Sequence, residues 1–199
     1  SKGIIYDSFN PKELAETFQA NGAGAISVLT DRTYFKGSIN DLKIVRQAVD
    51  LPILRKDFII DPIQVIQSKI IGANAILLIL DIVSIETANE ILDAANQYEL
   101  DVLIEIHHIE TIEKLNDLNS KQIVGINNRN LNTFEVDTNH ALELTKKIKA
   151  KHSNLLFVAE SGYSSTNSLE TLEKSRINGV LIGEGLSKNQ DLLGWFNEN

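Results

Sequence analysis

The sequence predicts an α/β fold of the (β/α)8, or TIM-barrel, class. Apolar, β-branched runs alternate along the chain with amphipathic helical patterns, and glycine, proline or polar clusters mark the joins. The runs are continuously hydrophobic, as strands of a parallel sheet are when helices cover it. No composition shift or Ser/Pro-rich linker divides the chain. Repeated βα units therefore favour a barrel over a doubly wound sheet, and residues 1–199 are expected to form one domain.

In order, the expected strands are AISVLT (25–30), LPILRK (51–56), AILLIL (75–80), DVLIEIH (101–107), IVGINN (123–128), LLFVAE (155–160) and GVLIGEG (179–185). Helical patterns stand between them at 11–22, 38–49, 62–72, 84–98, 111–118, 139–151 and 164–175, with a last one at 191–199. Gly22, Gly72 and Gly179 each fall after a helix and before a strand, where a C-cap with positive φ suits glycine. Because Gly22 and Gly24 precede their strand, they are not a dinucleotide-binding fingerprint. The strand count is one short of a closed barrel, which takes about 250 residues. The chain is thus expected to supply strands two to eight, residues 1–9 being the loop that leaves an absent first strand. An open seam with unpaired edges would follow.

With 43% hydrophobic and 23% charged residues the composition is that of an ordinary globular protein. A net charge of -8 offers no basic surface for nucleic acid. Cysteine is absent, which excludes disulfides and cysteine-held metals and suits a reducing compartment, so the cytoplasm is expected. No segment approaches the roughly 20 apolar residues of a membrane span.

Three apolar strands carry charge at or near their C-terminal ends. Lys56 closes LPILRK, Glu105 interrupts DVLIEIH, and Glu160 with Ser161 ends LLFVAES. Packing gives such strands no reason to hold a charge. In a barrel, catalytic groups gather where strands end, and Asn127 of GINNRN falls at the same rim. Arg55 and Lys56 alternate, so one is expected to point in and the other out. Leu103, Glu105 and His107 share a face opposite Ile104 and Ile106; a barrel interior does not accept an idle carboxylate, and an ion pair with a lysine or arginine is the plainer alternative to catalysis. Arg129 offers a planar fork for a carboxylate or phosphate. Asn128 and Asn130 read as turn residues. In the glycine-bearing ESGYSS and GEGLSK, the amides of Gly162, Gly183 and Glu184 are candidate phosphate donors, since loops after the last two strands of a barrel often hold phosphate. His107 and His108 fit no metal-ligand spacing, so no metal is expected. His140 and His152 read as solvated helix residues, and Tyr34 and Phe35 as core or as a platform for an aromatic ligand.

Together the strings SVLTDRTYFKGS, LPILRKDFIIDP, LIEIH, VGINNRNLNTFEVD, AESG and LIGEGL resemble the indole-3-glycerol phosphate synthase family over essentially the whole chain. LRKDFIIDP followed by GINNRNL is the specific part. The resemblance implies a carbon-carbon lyase of tryptophan biosynthesis without cofactor or metal. It converts 1-(2-carboxyphenylamino)-1-deoxyribulose 5-phosphate to indole-3-glycerol phosphate, releasing carbon dioxide and water. It further implies Lys56 as general acid, its pKa lowered toward working pH by a nearby cation or desolvation. Glu105 would be the proton-transfer partner in dehydration, Asn127 would position a hydroxyl or catalytic side chain, and Glu160 and Ser161 would bind sugar hydroxyls and orient Lys56. Arg129 would hold the anthranilate carboxylate, Phe35 and Phe58 would pack on the aromatic ring, and Gly162, Gly183 and Glu184 would bind the 5-phosphate. The family's first strand carries a glutamate and a lysine ahead of the loop in which this chain begins, so both are expected to be absent. A monomer, free or joined to a neighbouring pathway enzyme, is implied. The alternatives are a catalytically incompetent truncated barrel and another phosphosugar barrel such as phosphoribosylanthranilate isomerase, which has no use for a lysine acid at position 56.

Overall fold

Capping groups set the helix starts. The Asn10 side chain accepts from the amides of Lys12 and Glu13, with Pro11 opening the helix where its missing N-H costs nothing. Asp61 and Gln64 form a reciprocal capping box around Pro62. Ser38, Ser84 and Ser165 each accept an amide of the following turn. The computed structural model describes residues 10–130, 133, 135–188, 192 and 194. Expectations for the opening loop (1–9) lie outside these residues, as do most of those for the last helix (191–199).

Seven parallel strands form one sheet in chain order. They are β1 Ile26–Leu29, β2 Ile53–Lys56, β3 Ala75–Ile79, β4 Asp101–Ile106, β5 Ile123–Asn127, β6 Leu156–Glu160 and β7 Gly179–Leu181. The helices are α1 Pro11–Ala20, α2 Ile39–Ala48, α3 Pro62–Ile71, α4 Ile85–Gln97, α5 Asn139–Lys151, α6 Thr166–Glu173 and α7 Glu184–Lys188, and a 3-10 helix, Ile109–Asp117, links β4 to β5. This is the βα repeat of the (β/α)8 class. Among the described residues β1 and β7 are the sheet edges, and no helix is long and apolar enough to cross a membrane.

The two sheet faces bury different things. Ile76, Leu78, Ile104, Ile106, Val124, Ile126 and Phe157 pack outward against the helices. Leu54, Leu77, Ile79 and Leu103 meet Phe58, Ile123, Val158 and Leu181 on the concave side. Strand alternation sends Lys56, Glu105, Asn127 and Glu160 to that concave side, one step beyond its apolar floor.

Three local expectations are corrected. Gly72 is a left-handed C-cap with φ 95°, and Gly22, with φ 81°, closes α1 in the same left-handed turn, its amide and that of Ala23 donating to the Gln19 and Phe18 carbonyls, whereas Gly179 opens β7. The last strand stops at Leu181 instead of running to Gly185, and α7 begins at Glu184. Gly185 is needed because a Cβ there would stand 2.1 Å from the Tyr163 carbonyl oxygen. The stretch 111–118 is a tighter 3-10 turn instead of an α-helix.

Candidate active site

Lys56 is the centre of a buried charge cluster at the C-terminal rim. Its Nζ lies 3.2 Å from Glu105 Oε2 and 3.7 Å from Glu160 Oε2. Register explains the convergence: Ile79 pairs with Glu105, Glu105 with Gly125, and Asn127 with Glu160, so equivalent heights on neighbouring strands project inward together. Asn127 Nδ2 donates to Glu105 Oε1 at 3.3 Å, and Asn127 Oδ1 accepts the Arg129 amide at 3.0 Å. Gly125 gives Glu160 its room, since a Cβ there would stand 2.1 Å from Glu160 Oε1.

Electrostatics divide the two carboxylates. Burial pushes Glu105 up, but the Lys56 ammonium and the His107 imidazole outweigh it and hold Glu105 well below the usual carboxylate range. Glu160 is raised well above that range, first by burial and then by the charge of Glu105. Burial and the neighbouring charges therefore favour the ionised form on Glu105 and the neutral form on Glu160. For Lys56, burial works downward but Glu105 and Glu160 outweigh it, so its pKa is raised. The expectation of a lowered lysine pKa is thus corrected: the groups facing this ammonium are carboxylates, which favour its protonated form.

Arg55, one residue before Lys56, takes the other face. It is 3% exposed and points to the helix layer instead of solvent. Its guanidinium donates to Asp57 Oδ2 at 2.8 Å, Thr30 Oγ1 at 3.1 Å and Ser68 Oγ at 3.1 Å. Asp57 also accepts the Phe58 amide, and Gln64 Nε2 donates to the Phe58 carbonyl, so this network fixes the loop that carries Phe58.

Phe35 stacks on Phe58 with ring centres 4.9 Å apart and planes 10° apart, Tyr34 meets Phe58 edge-on, and Lys56 Nζ stands 5.8 Å from the Phe35 ring centre. The aromatic platform thus borders the charge cluster. Arg129 is engaged: its Nη2 lies 3.6 Å from Glu184 Oε2. Ser161 and Gly162 follow β6 with φ of 67° and 92°, turning the chain sharply at the rim. A rim cavity of about 570 Å³ is lined by His107, Asn127, Arg129 and His140 among others.

Three residues differ from their sequence reading. Asn128 is no turn residue: buried, it donates to the Ser161 carbonyl at 3.0 Å and the Tyr163 hydroxyl at 2.9 Å and accepts the Ala141 amide at 2.9 Å, bracing β5 against β6 and α5. His140 is partly buried with Nε2 2.8 Å from the His107 carbonyl, and the Nε2 of His152 is buried. Asp81 escaped notice; a carboxylate just past a strand has the signature of an ordinary turn.

A curled parallel sheet with a lysine-carboxylate cluster on its concave rim, an aromatic shelf beside it and glycine turns after its last strands defines a TIM-barrel enzyme of the phosphosugar type. The family model of indole-3-glycerol phosphate synthase matches residues 1–195. Relatives described as indole-3-glycerol phosphate synthase include that of Geobacillus sp., 44% identical over 96% of this chain and 73% of the relative. Another is that of Halalkalibacterium halodurans, 41% identical over 94% of this chain and 72% of the relative. That of Prochlorococcus marinus subsp. pastoris is 40% identical over 98% of this chain and 67% of the relative. The chain belongs to the indole-3-glycerol phosphate synthase family.

Proposed function

We propose that this chain closes the indole ring of 1-(2-carboxyphenylamino)-1-deoxyribulose 5-phosphate, giving indole-3-glycerol phosphate, carbon dioxide and water. The observation that carries this is the Lys56 ammonium held 3.2 Å from Glu105 and 3.7 Å from Glu160 beside an aromatic shelf. The ring carbon bearing the carboxylate attacks the ribulose carbonyl, and Lys56 delivers its proton to the developing alkoxide. Loss of carbon dioxide restores the aromatic ring. Lys56, reprotonated from solvent, then protonates the new hydroxyl as it leaves as water, and Glu105, kept ionised, accepts the proton lost from the new ring. Asn127 orients Glu105, and Glu160 and Ser161 hold sugar hydroxyls near Lys56.

Phe35 and Phe58 flank the anthranilate ring and Arg129 takes its carboxylate, exchanging the Glu184 partner for substrate. The amides of Gly162, Gly183 and Glu184 bind the 5-phosphate. No cofactor or metal enters this scheme. The same reading carries a cytoplasmic monomer, free or joined to a neighbouring tryptophan-pathway enzyme; the absence of cysteine suits a reducing compartment. The test is an indole-fluorescence assay of the purified protein with the carboxyphenylamino-deoxyribulose phosphate. Rising fluorescence with stoichiometric carbon dioxide release is expected; intact substrate after prolonged incubation with folded protein would contradict the proposal.

A further inference from the structure

Buried on the concave face, His107 has no task in the scheme above. It follows β4 with its side chain on the same face as Glu105, and Asp81 follows β3 in the same way. Continuing the Ile79 to Glu105 register by two residues brings Asp81 beside His107. Asp81 Oδ2 lies 3.1 Å from the His107 ring Nδ1 and also accepts the His107 backbone amide at 3.1 Å, while Asp81 Oδ1 accepts the Thr111 hydroxyl. At the far side of the ring, Nε2 stands 3.0 Å from Glu105 Oε1, close enough for charge attraction though not aligned as a hydrogen bond. Lys56 holds the other oxygen, Oε2. Glu105 is thus flanked by two cationic side chains, one on each oxygen.

We propose that Asp81 and His107 form a positioning relay that fixes the Oε1 end of Glu105 for proton transfer while Lys56 holds Oε2. The claim rests on the reading of Glu105 as the proton-transfer group. Three donors anchor Asp81, Asp81 fixes the ring through Nδ1, and only Nε2 remains to face Glu105. The ionisable groups around the ring are Asp81 just past β3, Glu105 from β4, Lys56 from β2, Glu160 from β6, His108 with its ring centre 6.3 Å away and His140 from α5, whose Nε2 touches the His107 carbonyl; Lys114 bonds the Leu80 carbonyl beside Asp81, and Arg129, Glu135 and Asp137 line the same rim cavity. Burial pulls His107 down, but Asp81 and Glu105 outweigh it and raise it to about 9. The imidazolium therefore persists through the neutral range, and two cations balance the anions of Asp81 and Glu105. Asp81, His107 and Glu105 form a salt-bridged chain leading into the reacting centre, and among the described residues no group of three or more His, Cys, Asp or Glu could hold a metal ion.

The test combines a titration with kinetics. In the purified protein labelled with 15N-histidine, the ring resonances of His107, assigned by their loss in His107→Gln, should titrate near 9. In Asp81→Asn they should move toward the ordinary value of about 6.5. In the same variant kcat should fall about 10- to 100-fold with a much smaller change in KM, as for a displaced catalytic group, and its alkaline limb should move to lower pH. His107→Gln should lose a similar factor. An ordinary His107 titration in the unsubstituted protein, or an unchanged kcat and pH profile in a folded Asp81→Asn, would overturn the relay. A raised His107 titration that falls in Asp81→Asn, in a protein that does not turn the substrate over, would support the relay and overturn the reaction assigned above.

Discussion

Arg55 and Lys56 are chain neighbours that feed two buried polar networks on opposite faces of β2. The helix-side network is closed: Arg55 donates to Asp57, Thr30, Ser68 and the Gln64 carbonyl, and Asp57 accepts in turn from Thr30 and the Phe58 amide. The concave-side network is open. Glu160 Oε1 and His107 Nε2 lack a hydrogen-bond partner, and the Lys56 side chain keeps 15% of its surface exposed. Unmet hydrogen-bonding capacity in a buried site costs stability unless a ligand meets it. Saturated polar burial braces a fold; unsaturated polar burial beside an opening is where substrate is expected.

The contrast can be broken at either end. The largest effect is expected for Arg55→Met, which strands the buried Asp57 carboxylate. It should lower unfolding stability by about 3 to 5 kcal/mol in urea denaturation, because the surviving buried charge has no cationic partner. A loss confined to activity, with stability intact, would show the helix-side network to be part of the site. Glu105→Gln should do the opposite, cutting turnover by about 10² to 10⁴ while the fold persists, with the ring-closed but undehydrated species accumulating in quenched samples. Full activity without an intermediate would remove Glu105 from the dehydration step.

Gly125→Ala sharpens the comparison, since it adds a methyl where Glu160 Oε1 now lies. Displacing that carboxylate by a fraction of an ångström should reduce kcat by about 10- to 100-fold with KM nearly constant. An unchanged kcat would mean that Glu160 has no exacting position. The smallest effect belongs to Glu184→Gln, which releases Arg129 from an ion pair at the partly exposed rim. KM should fall by about 2- to 5-fold, the scale of a surface ion pair. A rise would indicate that Glu184 holds Arg129 in its working orientation.

Much of this arrangement was legible in the residues. All seven strands occur where apolar runs stand, because continuous hydrophobicity marks strands covered on both faces. Lys56, Glu105 and Glu160 stood out since a charge in such a run has no packing purpose. Asp81 did not, because an acid just past a strand is ordinary; only the register between β3 and β4 gives it a partner. Gly125 was equally silent. Its small size matters only once Glu160 is known to lean across from the next strand. Alternation put Arg55 and Lys56 on opposite faces without showing which face each takes, because covering the outer face is the work of α3, distant in sequence. Gly185 was silent for a related reason: a Cβ there would meet the Tyr163 carbonyl, a contact invisible along the chain.

The central claim is that Lys56 is the proton donor and contributes to chemistry more than to the fold. Its most direct test is Lys56→Ala, assayed for single-turnover indole formation with substrate affinity and thermal midpoint measured on the same preparation. Turnover should fall by at least about 10²-fold while substrate still binds and the protein stays folded. Near-normal turnover in the folded variant would contradict the account.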